Sequence, residues 1–384
     1  MNVMLKTYDV AVIGAGTMGS AAAYHLTKRG ARVIAFEQFQ IVHEQGSHSG
    51  STRIIRHAYF ESPDYVPLVL RSDELWQELA RESGRTVLVR TGGLDMGPSN
   101  STLVRGALEA CQKHGLDYQQ LSSKEMMGRW PQFAIPAEWE ACFDPQAGFL
   151  LVNDCIQSHI EQAAKRGAEI RENENVLSYA QQNGHFRIRT TKDRYEAGKM
   201  IFCAGSWTSQ ILSELHLPLI VKRKALVWLK PRNARDFALD RFPVFLAEVP
   251  SGILYGFPIF QHEGVKVANH NFEGPEISPD TVDRTFHPND VGDVREFVRA
   301  HMPGLTTEIL DGKICLYTIT PDADFILDMH PDNEKILIAA GFSGHGFKFA
   351  SVMGEILADL CLNGKTKHPI SRFALMRFAG QASC

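Results

Sequence analysis

The alternation of apolar and polar segments at the beginning of the chain predicts a strand, a helix and a second strand. Residues 9–13 form a short, nearly unbroken apolar run, the pattern of a buried parallel strand. Residues 20–28 are rich in alanine and predict a helix, and Gly30 stands where that helix should end. Residues 32–36 form a second apolar strand. The order is that of a strand–helix–strand unit.

Three glycines lie between the first strand and the helix of this unit. Gly14, Gly16 and Gly19 form G-x-G-x-x-G, and Glu37 closes the second strand about twenty residues later. In this context Gly14 permits the tight turn, Gly16 lets the backbone approach a pyrophosphate, and Gly19 brings helix and sheet together. The helix N-terminus attracts phosphate, and Glu37 would accept hydrogen bonds from a ribose 2′-hydroxyl. The segment predicts a dinucleotide site that disfavours a 2′-phosphorylated cofactor; an accidental glycine-rich turn is the alternative.

The rest of the chain shows further helical and strand patterns and ends with a second strand, glycine loop and helix. Helices are predicted at residues 65–82, 102–114, 155–166 and 349–362. Strands are predicted at residues 86–90, 92–96, 168–171, 176–180, 185–190, 199–207, 225–229, 244–248, 253–260, 265–269 and 335–340. Asn183-Gly184 marks a hairpin, and the segments at Pro131 and Pro136 are expected to be irregular connections.

Two domains are expected from a chain of 384 residues. The strand-rich stretch 217–318 predicts an antiparallel sheet, whereas both ends of the chain have α/β character. The predicted fold is therefore α/β overall, a two-domain α+β arrangement whose first domain is discontinuous. The dinucleotide-binding domain is expected to comprise residues 1–90, 150–216 and 320–384, and the second domain residues 91–149 and 217–319.

Composition and charge exclude several classes of partner. The net charge of −4 and the lack of Lys/Arg tracts argue against nucleic acid or an anionic membrane. No apolar run approaches the roughly 18 residues that span a bilayer, and the start of the chain lacks a signal-peptide core. The seven cysteines show neither C-x-x-C nor metal-type spacing. We therefore expect no metal site, no structural disulfide and a reducing, cytoplasmic location.

Two arginines follow a loop of Gly and Ser at residues 46–52. Arg53 and Arg56 are three residues apart, so on a helix, which the segment predicts, they would share a face. Two guanidinium groups on one face suit a bound carboxylate or a negatively charged cofactor group. Two solvated surface arginines are the alternative.

Two pairs of candidates lie on later strands. Lys266 and His270 are four residues apart and would point to the same face of a strand, as would Cys315 and Tyr317. Taken alone, such residues are more often a solvated lysine, a hydrogen-bonded histidine and an inert buried thiol.

Small residues also end two of the buried strands. Gly205 follows one of them, where a dinucleotide needs close approach of the backbone. Residues 341–348 form a loop with three glycines before the last helix. Its N–H groups suit the N1/C2 carbonyl edge of a flavin, which gains negative charge on reduction. A plain strand–helix loop is the alternative.

Several longer motifs resemble the monomeric sarcosine oxidase and N-methyltryptophan oxidase family. They are Gly-Ser-His at residues 46–48, Arg-Ile-Ile-Arg-His-Ala-Tyr at 53–59, Tyr-Gly-Phe-Pro at 255–258, the segment with Cys315 and Tyr317, and Ala-Gly-Phe-Ser-Gly-His-Gly-Phe-Lys at 340–348. The resemblance covers essentially the whole chain, from residue 8 to 377. It implies a glutathione-reductase-type FAD-binding Rossmann domain, a substrate domain with an antiparallel sheet, and oxidation of the C–N bond of a secondary amino acid.

The resemblance also implies roles for single residues. Cys315 matches the cysteine that holds the flavin through a thioether at the 8α methyl group. Arg56 and Lys348 match the pair that binds the substrate carboxylate. Lys266 matches the lysine placed over the flavin where oxygen reacts.

Further matches complete the expected site. Tyr255, His270 and Tyr317 match residues that line the substrate cavity, and Arg53 matches a basic residue beside the flavin ring. The expected catalytic set is Lys266, His270, Tyr317, Arg53 and Tyr255, and the expected substrate-binding set is Arg56, Lys348, Tyr255 and Tyr317. The expected cofactor-binding set is Gly14, Gly16, Gly19, Glu37, Ser47, Thr52, Arg53, Val176, Gly205, Cys315, Gly344, Gly346 and Lys348.

Three positions depart from the family pattern. Ser49 stands where sarcosine oxidases commonly carry a second histidine, Leu246 replaces a cavity-side methionine, and Leu254 replaces the first of two paired tyrosines. All three are expected near the flavin or the substrate entrance, where longer residues would leave less room. The departures leave the reaction class intact and the preferred amine open.

The resemblance implies a monomeric flavoprotein oxidase for an N-methyl or N-alkyl amino acid such as sarcosine. Molecular oxygen would be the acceptor, and the imine would hydrolyse to formaldehyde and the amino acid while hydrogen peroxide forms. Fructosyl amino acids, larger N-methyl amino acids and cyclic imino acids such as pipecolate are alternative substrates. A dehydrogenase that passes electrons to another protein and a non-catalytic flavin-binding protein are the alternative functions.

Overall fold

The structure is a computed structural model that describes residues 6–271 and 273–379. The strands are β1 Thr7–Ile13, β2 Val33–Phe36, β3 Thr52–Ile55, β4 Leu88–Arg90, β5 Gly93–Pro98, β6 Gln119–Ser122, β7 Trp139–Asp144, β8 Gly148–Leu151, β9 Glu169–Arg171, β10 Val176–Gln182, β11 His185–Thr190, β12 Arg194–Phe202, β13 Ile220–Pro231, β14 Val244–Val249, β15 Gly252–Gly256, β16 Val265–His270, β17 Leu305–Ile319, β18 Ile326–His330 and β19 Asn333–Ala340. The helices are α1 Thr17–Lys28, α2 Val66–Ser83, α3 Thr102–His114, α4 Ser123–Arg129, α5 Val152–Lys165, α6 Thr208–Ile211, α7 Gly292–His301 and α8 Ala350–Asn363. Cys384 and the first five residues, where no signal peptide is predicted, lie outside the described residues.

The first sheet is built around the N-terminal unit that the sequence predicts. Its strand order is β10-β11-β12-β1-β2-β9, and β19 and β18 extend it from β12. The pairs β1–β12, β1–β2, β2–β9 and β12–β19 are parallel, whereas β10, β11 and β18 join as antiparallel strands. Residues 10–13 and 33–36 are all buried, as expected for central strands covered on both faces. The predicted mixed α/β fold is confirmed.

Two further sheets form the remainder of the molecule. The strands of the larger one follow the order β17-β13-β16-β15-β14-β5-β7-β6, and all its pairs except β14–β5 are antiparallel. The smaller sheet consists of β3, β8 and β4. The strands of the larger sheet all fall within residues 91–149 and 217–319. The domain boundaries themselves remain a prediction.

Helices α1 and α8 cover the first sheet, and their contact is close because Gly354 has no side chain. A Cβ atom at Gly354 would lie 2.5 Å from the carbonyl carbon of Ala21. The two helices therefore pack backbone to backbone, with α2 and α5 completing the same apolar core. Within the residues described, no helix combines the length and the apolar character needed to cross a membrane.

The structure corrects the helix expected at Arg53 and Arg56. Residues 52–55 form β3, and Arg56 lies just beyond the end of the strand. Ile54 and Ile55 are β-branched and favour a strand, which pairs with β8. The prediction that Arg53 and Arg56 share one face of a helix is therefore wrong.

The irregular connections expected at Pro131 and Pro136 are confirmed, since residues 130–138 form neither helix nor strand. Ser122 and Glu125 form a capping box that starts α4, and β6, β7 and β8 flank that helix. The strand expected to reach residue 260 ends at Gly256, because Pro258 has no N–H for a ladder hydrogen bond.

Candidate functional site

A cavity of about 380 Å³ lies where the C-terminal ends of β1, β2 and β12 meet the N-terminus of α1. We call it the larger cavity. The expected cofactor-binding residues that line it are Gly14, Gly16, Glu37, Ser47, Arg53, Val176, Gly205, Gly344 and Gly346. Ligands of open α/β sheets bind at this end of the strands.

The three glycines of the fingerprint meet three different steric demands. A Cβ atom at Gly14, whose φ is +91°, would lie 2.5 Å from the carbonyl oxygen of Cys203. A Cβ atom at Gly19 would lie 1.8 Å from the carbonyl oxygen of Gly14, so helix and turn could not approach. At Gly16 the nearest atoms belong to His48, 3.8 Å away, so space remains for a ligand. Gly19 itself packs beneath the turn and does not line the larger cavity.

Glu37 is buried at the wall of the larger cavity. Its carboxylate accepts hydrogen bonds from the backbone N–H groups of Ala15 and Phe39, both over 3.1 Å. Nε2 of His43 lies 3.4 Å from Oε1. These contacts fix the carboxylate at the end of β2 and link it to the glycine turn.

His48 supplies a polar atom without a partner at the same wall. Its ring is buried, and Nε2 forms no hydrogen bond with the described residues. Burial lowers the pKa of His48 to about 3, and the neighbouring His43 and Arg53 act in the same direction. A neutral imidazole nitrogen that is buried and unpartnered fits a bound polar group.

A smaller cavity of about 70 Å³ adjoins the larger one. Its lining residues include Arg53, Arg56, Glu61, Leu246, Tyr255, His270, Cys315, Tyr317, His345 and Lys348. Arg53, Tyr317, Gly344 and Phe347 line both cavities, so these residues form the wall between them. Residues from all parts of the chain thus meet at one place.

Arg56 is held from several sides at the smaller cavity. Its side chain is 4% exposed, and the guanidinium donates to Glu61 Oε2 and to the Ala58 carbonyl, both over 2.7 Å. The guanidinium carbon lies 4.6 and 4.7 Å from the ring centroids of Tyr59 and Phe60. Burial opposes ionisation of Glu61, but Arg56 outweighs it and the pKa of Glu61 is lowered to about 2.

Lys348 is the second cation of the smaller cavity. Nζ donates to the carbonyl of His345 over 2.8 Å and lies 5.1 Å from the ring centroid of Tyr59. Burial lowers the pKa of Lys348 to about 7; Arg56 acts in the same direction, and Glu61 opposes it. A bound anion would therefore favour the protonated form of this lysine.

Lys266 lies in the interior next to both cavities and lines neither of them. Its side chain is buried, and Nζ contacts the Gly50 and Thr52 carbonyls at 2.7 and 2.9 Å and Thr52 Oγ1 at 2.7 Å. Burial lowers the pKa of Lys266, and Arg53 lowers it further. Thr52, an expected cofactor-binding residue, is therefore a partner of Lys266 and lines neither cavity.

His270 and two tyrosines line the smaller cavity. Nδ1 of His270 lies 3.2 Å from the hydroxyl of Tyr317. Burial lowers the pKa of His270 to about 3 and raises that of Tyr255 to about 12. All three side chains are therefore neutral near pH 7.

Cys315 is buried in the wall of the smaller cavity. Burial raises the pKa of its thiol, whereas the positive charges of Arg53 and Lys266 oppose that increase. The net shift of the Cys315 pKa is upward, so the thiol form predominates near pH 7, and the two cations make loss of its proton less unfavourable than burial alone would. A thiol must lose its proton to act as a nucleophile.

A sequence model described as FAD dependent oxidoreductase matches residues 9–360. The chain belongs to this family. It is 41% identical over 377 residues to monomeric sarcosine oxidase of Arthrobacter sp. (strain TE1826), and the match covers 97% of each chain. It is 35% identical over 374 residues to N-methyl-L-tryptophan oxidase of Yersinia pestis (strain Pestoides F), which covers 97% of this chain and 99% of that one. The resemblance inferred from the motifs is confirmed.

The fold of this FAD-dependent oxidoreductase is also found among solved structures. NikD, described as an unusual amino acid oxidase essential for nikkomycin biosynthesis, superposes in its open form with a TM-score of 0.84. The two sequences are 24% identical, and the match covers 96% of this chain and 97% of NikD. FAD is the cofactor of the family, and the glycine turn, Glu37 and His48 of the larger cavity fit it.

Three residues at the smaller cavity or beside it were not singled out from the sequence. They are Glu61, His345 and Asp95. Nε2 of His345 donates a hydrogen bond to the Ala323 carbonyl, so Nδ1 of the neutral ring accepts one from the Tyr59 hydroxyl. Glu61 and Asp95 both face Arg56. Asp95 gave a usable signal, since it is an acidic residue inside an otherwise apolar strand.

The three departures from the family pattern lie in different surroundings. Leu246 lines the smaller cavity, as expected. Leu254 is buried in the apolar core on the other face of the sheet and lines neither cavity, so the expectation that it lies near the flavin or the substrate entrance is wrong. Ser49 is buried, its carbonyl accepts a hydrogen bond from Arg53 over 2.6 Å, and its hydroxyl has no described partner.

Proposed function

We propose that this protein is an FAD-dependent oxidase that oxidises the CH–NH bond of a small secondary amino acid, with sarcosine as the favoured substrate. One observation carries the proposal: Arg56 and Lys348 share a small cavity whose wall, formed in part by Arg53 and Tyr317, separates it from the larger cavity. A carboxylate bound between the two cations would be separated from the expected flavin site only by the residues that line both cavities.

Arg56 and Lys348 are proposed to hold the substrate carboxylate. Both side chains are buried, so their interaction with an anion is weakened little by solvent. The rings of Tyr59 and Phe60 both contact the guanidinium and restrict its orientation. Fixing the carboxylate in this way would orient the N-alkyl carbon, and orientation is a large part of catalysis in such sites.

His270, Tyr255 and Tyr317 are proposed to accommodate the amine. The amine must react as the free base, because an ammonium group has no lone pair to assist loss of hydride. All three side chains are neutral near pH 7, so they do not stabilise an ammonium ion by charge. The hydroxyl groups and the imidazole can form hydrogen bonds with a neutral amine.

Bound FAD supplies the redox chemistry by accepting a hydride equivalent from the substrate and passing two electrons to oxygen. The neutral amine loses a hydride equivalent from carbon and a proton from nitrogen, two electrons and two protons in all, to give an imine. Water hydrolyses the imine to formaldehyde and the primary amino acid when the substituent is methyl. Oxygen gains two electrons and two protons and leaves as hydrogen peroxide. We propose that the cation of Lys266 stabilises negative charge as it develops on oxygen.

The size of the smaller cavity favours a small substrate. A volume of about 70 Å³ suits sarcosine better than a fructosyl amino acid or an N-methyl amino acid with an indole ring. Leu246 occupies part of the wall on the side of Tyr255. The substrate preference is therefore proposed to be set in part at Leu246.

Three further parts of the proposal concern attachment, assembly and location. Cys315 is proposed to hold FAD covalently, supported by its place beside Arg53 and Lys266. A monomer is proposed because relatives such as that of Arthrobacter sp. are named monomeric. Among the described residues the six cysteines are all free, which supports a reducing, cytoplasmic location.

The proposed function is tested with the purified FAD-loaded protein under anaerobic conditions. Sarcosine, N-methyltryptophan, pipecolate and fructosyl-glycine are added separately, and loss of the flavin absorption is followed. We expect rapid bleaching by sarcosine and slower or no bleaching by the larger compounds. Oxygen consumption without an added acceptor then distinguishes an oxidase from a dehydrogenase. Absence of bleaching by all four compounds would remove the amine oxidase proposal.

A further inference from the structure

Asp95 is a buried acid beside the proposed carboxylate site. Its side chain is 5% exposed, and Oδ2 lies 3.7 Å from Nη1 of Arg56. This distance is too long for a hydrogen bond, and Oδ2 has no hydrogen-bond partner among the described residues. A buried carboxylate oxygen without a hydrogen bond is costly if it carries full charge.

The register of the larger sheet places Asp95 on the face that borders the smaller cavity. Asp95 pairs with Leu246 on β14, and Leu246 pairs with Tyr255 on β15. Side chains of directly paired residues lie on the same face of a sheet. Leu246 and Tyr255 both line the smaller cavity, so Asp95 continues the same row one strand further along.

We propose that Asp95 carries a proton when a carboxylate occupies the smaller cavity, and that it couples substrate binding to proton uptake. This inference rests on the proposed function, since it takes Arg56 and Lys348 as the binding site of the substrate carboxylate. It assigns to Asp95 a positioning role that acts through Arg56. Asp95 does not itself line the cavity.

The charges around the site give the physical reason. Arg53, Arg56 and Lys348 contribute three positive charges at the smaller cavity. Glu61 and Asp144 contribute two negative charges, so one positive charge remains for the substrate. An ionised Asp95 would cancel that charge, and the incoming carboxylate would become the fourth anion in a buried cluster. Like charges in such an environment repel strongly. A protonated Asp95 avoids this repulsion.

The groups that face Asp95 are consistent with ready protonation. They are Arg56, Glu61, Asp144, Lys348 and the thiol of Cys142, which pairs with Asp95 from β7. Burial raises the pKa of Asp95 to about 7; Arg56 and Lys348 oppose the increase, and Glu61 and Asp144 add to it. Interaction with Cys111 and burial raise the pKa of the Cys142 thiol, so this group stays neutral.

Lysine protonation must be separated from protonation of Asp95, because Lys348 also titrates near pH 7. The K348R variant serves this purpose, since arginine keeps its charge at all relevant pH values. Acetate is the probe, because it carries the carboxylate and no amine. Its binding to FAD-loaded K348R is measured calorimetrically at about pH 8, above the pKa of Asp95, in two buffers with different protonation enthalpies.

We expect about one proton to be taken up per acetate bound by K348R, and none by D95N/K348R. The dissociation constant of K348R should rise about tenfold per pH unit above the pKa of Asp95, and that of the double variant should not. In the acetate complex of K348R, an infrared carbonyl band of a protonated carboxylic acid should be present.

Two results would separate failure of this inference from failure of the proposed function. Acetate binding by K348R without proton uptake overturns the role of Asp95 and leaves the carboxylate site intact. Absence of acetate binding by the wild-type protein overturns both. Proton uptake on acetate binding is measured in K348R itself, so the inference is testable even if the D95N substitution prevents folding.

Discussion

Nη2 of Arg56 donates to Oε2 of Glu61 over 2.7 Å, so a substrate carboxylate meets an arginine that already has an anionic partner. The E61Q variant removes that negative charge and keeps the shape of the side chain. We expect E61Q to bind acetate about tenfold more tightly, a change of about 1.4 kcal/mol, because one repulsive charge is lost. Spectral titration of the bound flavin measures the affinity.

An exposed glutamate provides the control for this change. Glu109 lies on the outer side of α3, so E109Q should leave acetate affinity unchanged. Weaker acetate binding by E61Q would contradict the prediction and would mean that Glu61 is needed to position Arg56.

The K266M variant is expected to keep bleaching of the flavin by sarcosine and to slow the reaction with oxygen by a factor of about 100 or more, because a preorganised cation is lost. Burial lowers the pKa of Lys266, and the cation exists only below that pKa. The rate of the oxygen reaction in the wild-type protein should therefore fall as the pH rises. The midpoint of this fall should lie below about 10.4, the usual pKa of lysine. Stopped-flow mixing with oxygen measures both effects.

A lysine on the neighbouring strand β13 is the matched control. Lys230 is exposed and pairs with Glu308, so K230M should react with oxygen at the wild-type rate. An unchanged rate of the oxygen reaction in K266M would contradict the proposed role of Lys266 in that reaction.

The C315A variant is expected to bind FAD without attaching it. In the wild-type protein the flavin should stay with the polypeptide after acid precipitation, whereas C315A should release it to the supernatant, because the thioether needs the sulfur of Cys315. Cys361 is equally buried but belongs to the core around α8. C361A should keep the flavin attached, and attached flavin in C315A would place the bond elsewhere.

The G19A variant is expected to lose FAD and stability together. Its Cβ atom would lie 1.8 Å from the Gly14 carbonyl oxygen, and overpacking of this kind costs about 1–3 kcal/mol or more. Thermal unfolding and the flavin content of the purified protein measure the effects. Gly128 lies in α4 with open space around it, so G128A should retain both wild-type properties. Normal flavin content in G19A would count against the proposed role of the turn.

The L246M variant is expected to change substrate preference. Methionine is longer than leucine, so it should lower kcat/KM for the bulkier of two accepted substrates about tenfold, a usual effect of one methylene-sized change. L254M places the same residue in the apolar core, away from the smaller cavity. It should alter thermal stability and leave the ratio of the two kcat/KM values unchanged. The same ratio of the two kcat/KM values in wild type and L246M would show that Leu246 does not determine substrate preference.

The sequence determined those features whose physical causes are local or carried by long motifs. The N-terminal strand, glycine turn and helix depend on neighbouring residues, and the turn at Gly14 requires a φ that only glycine adopts freely. The hairpin at Asn183-Gly184 is equally local. The family, and with it FAD and the general fold, followed from motifs that extend through the whole chain.

Only the tertiary structure decided which side chains meet and which way they point. Arg56 and Lys348 are far apart in sequence, and their shared cavity depends on the packing of different sheets. Leu246 and Leu254 had equal standing in the sequence, yet strand pairing puts one at the cavity and the other in the core. Successive side chains of a strand point to opposite faces of the sheet. Which of the two faces a given side chain lies on therefore depends on how the strand pairs with strands from distant parts of the chain. The charge partners Glu61 and Asp95 emerged for the same reason, because their effects depend on burial beside Arg56.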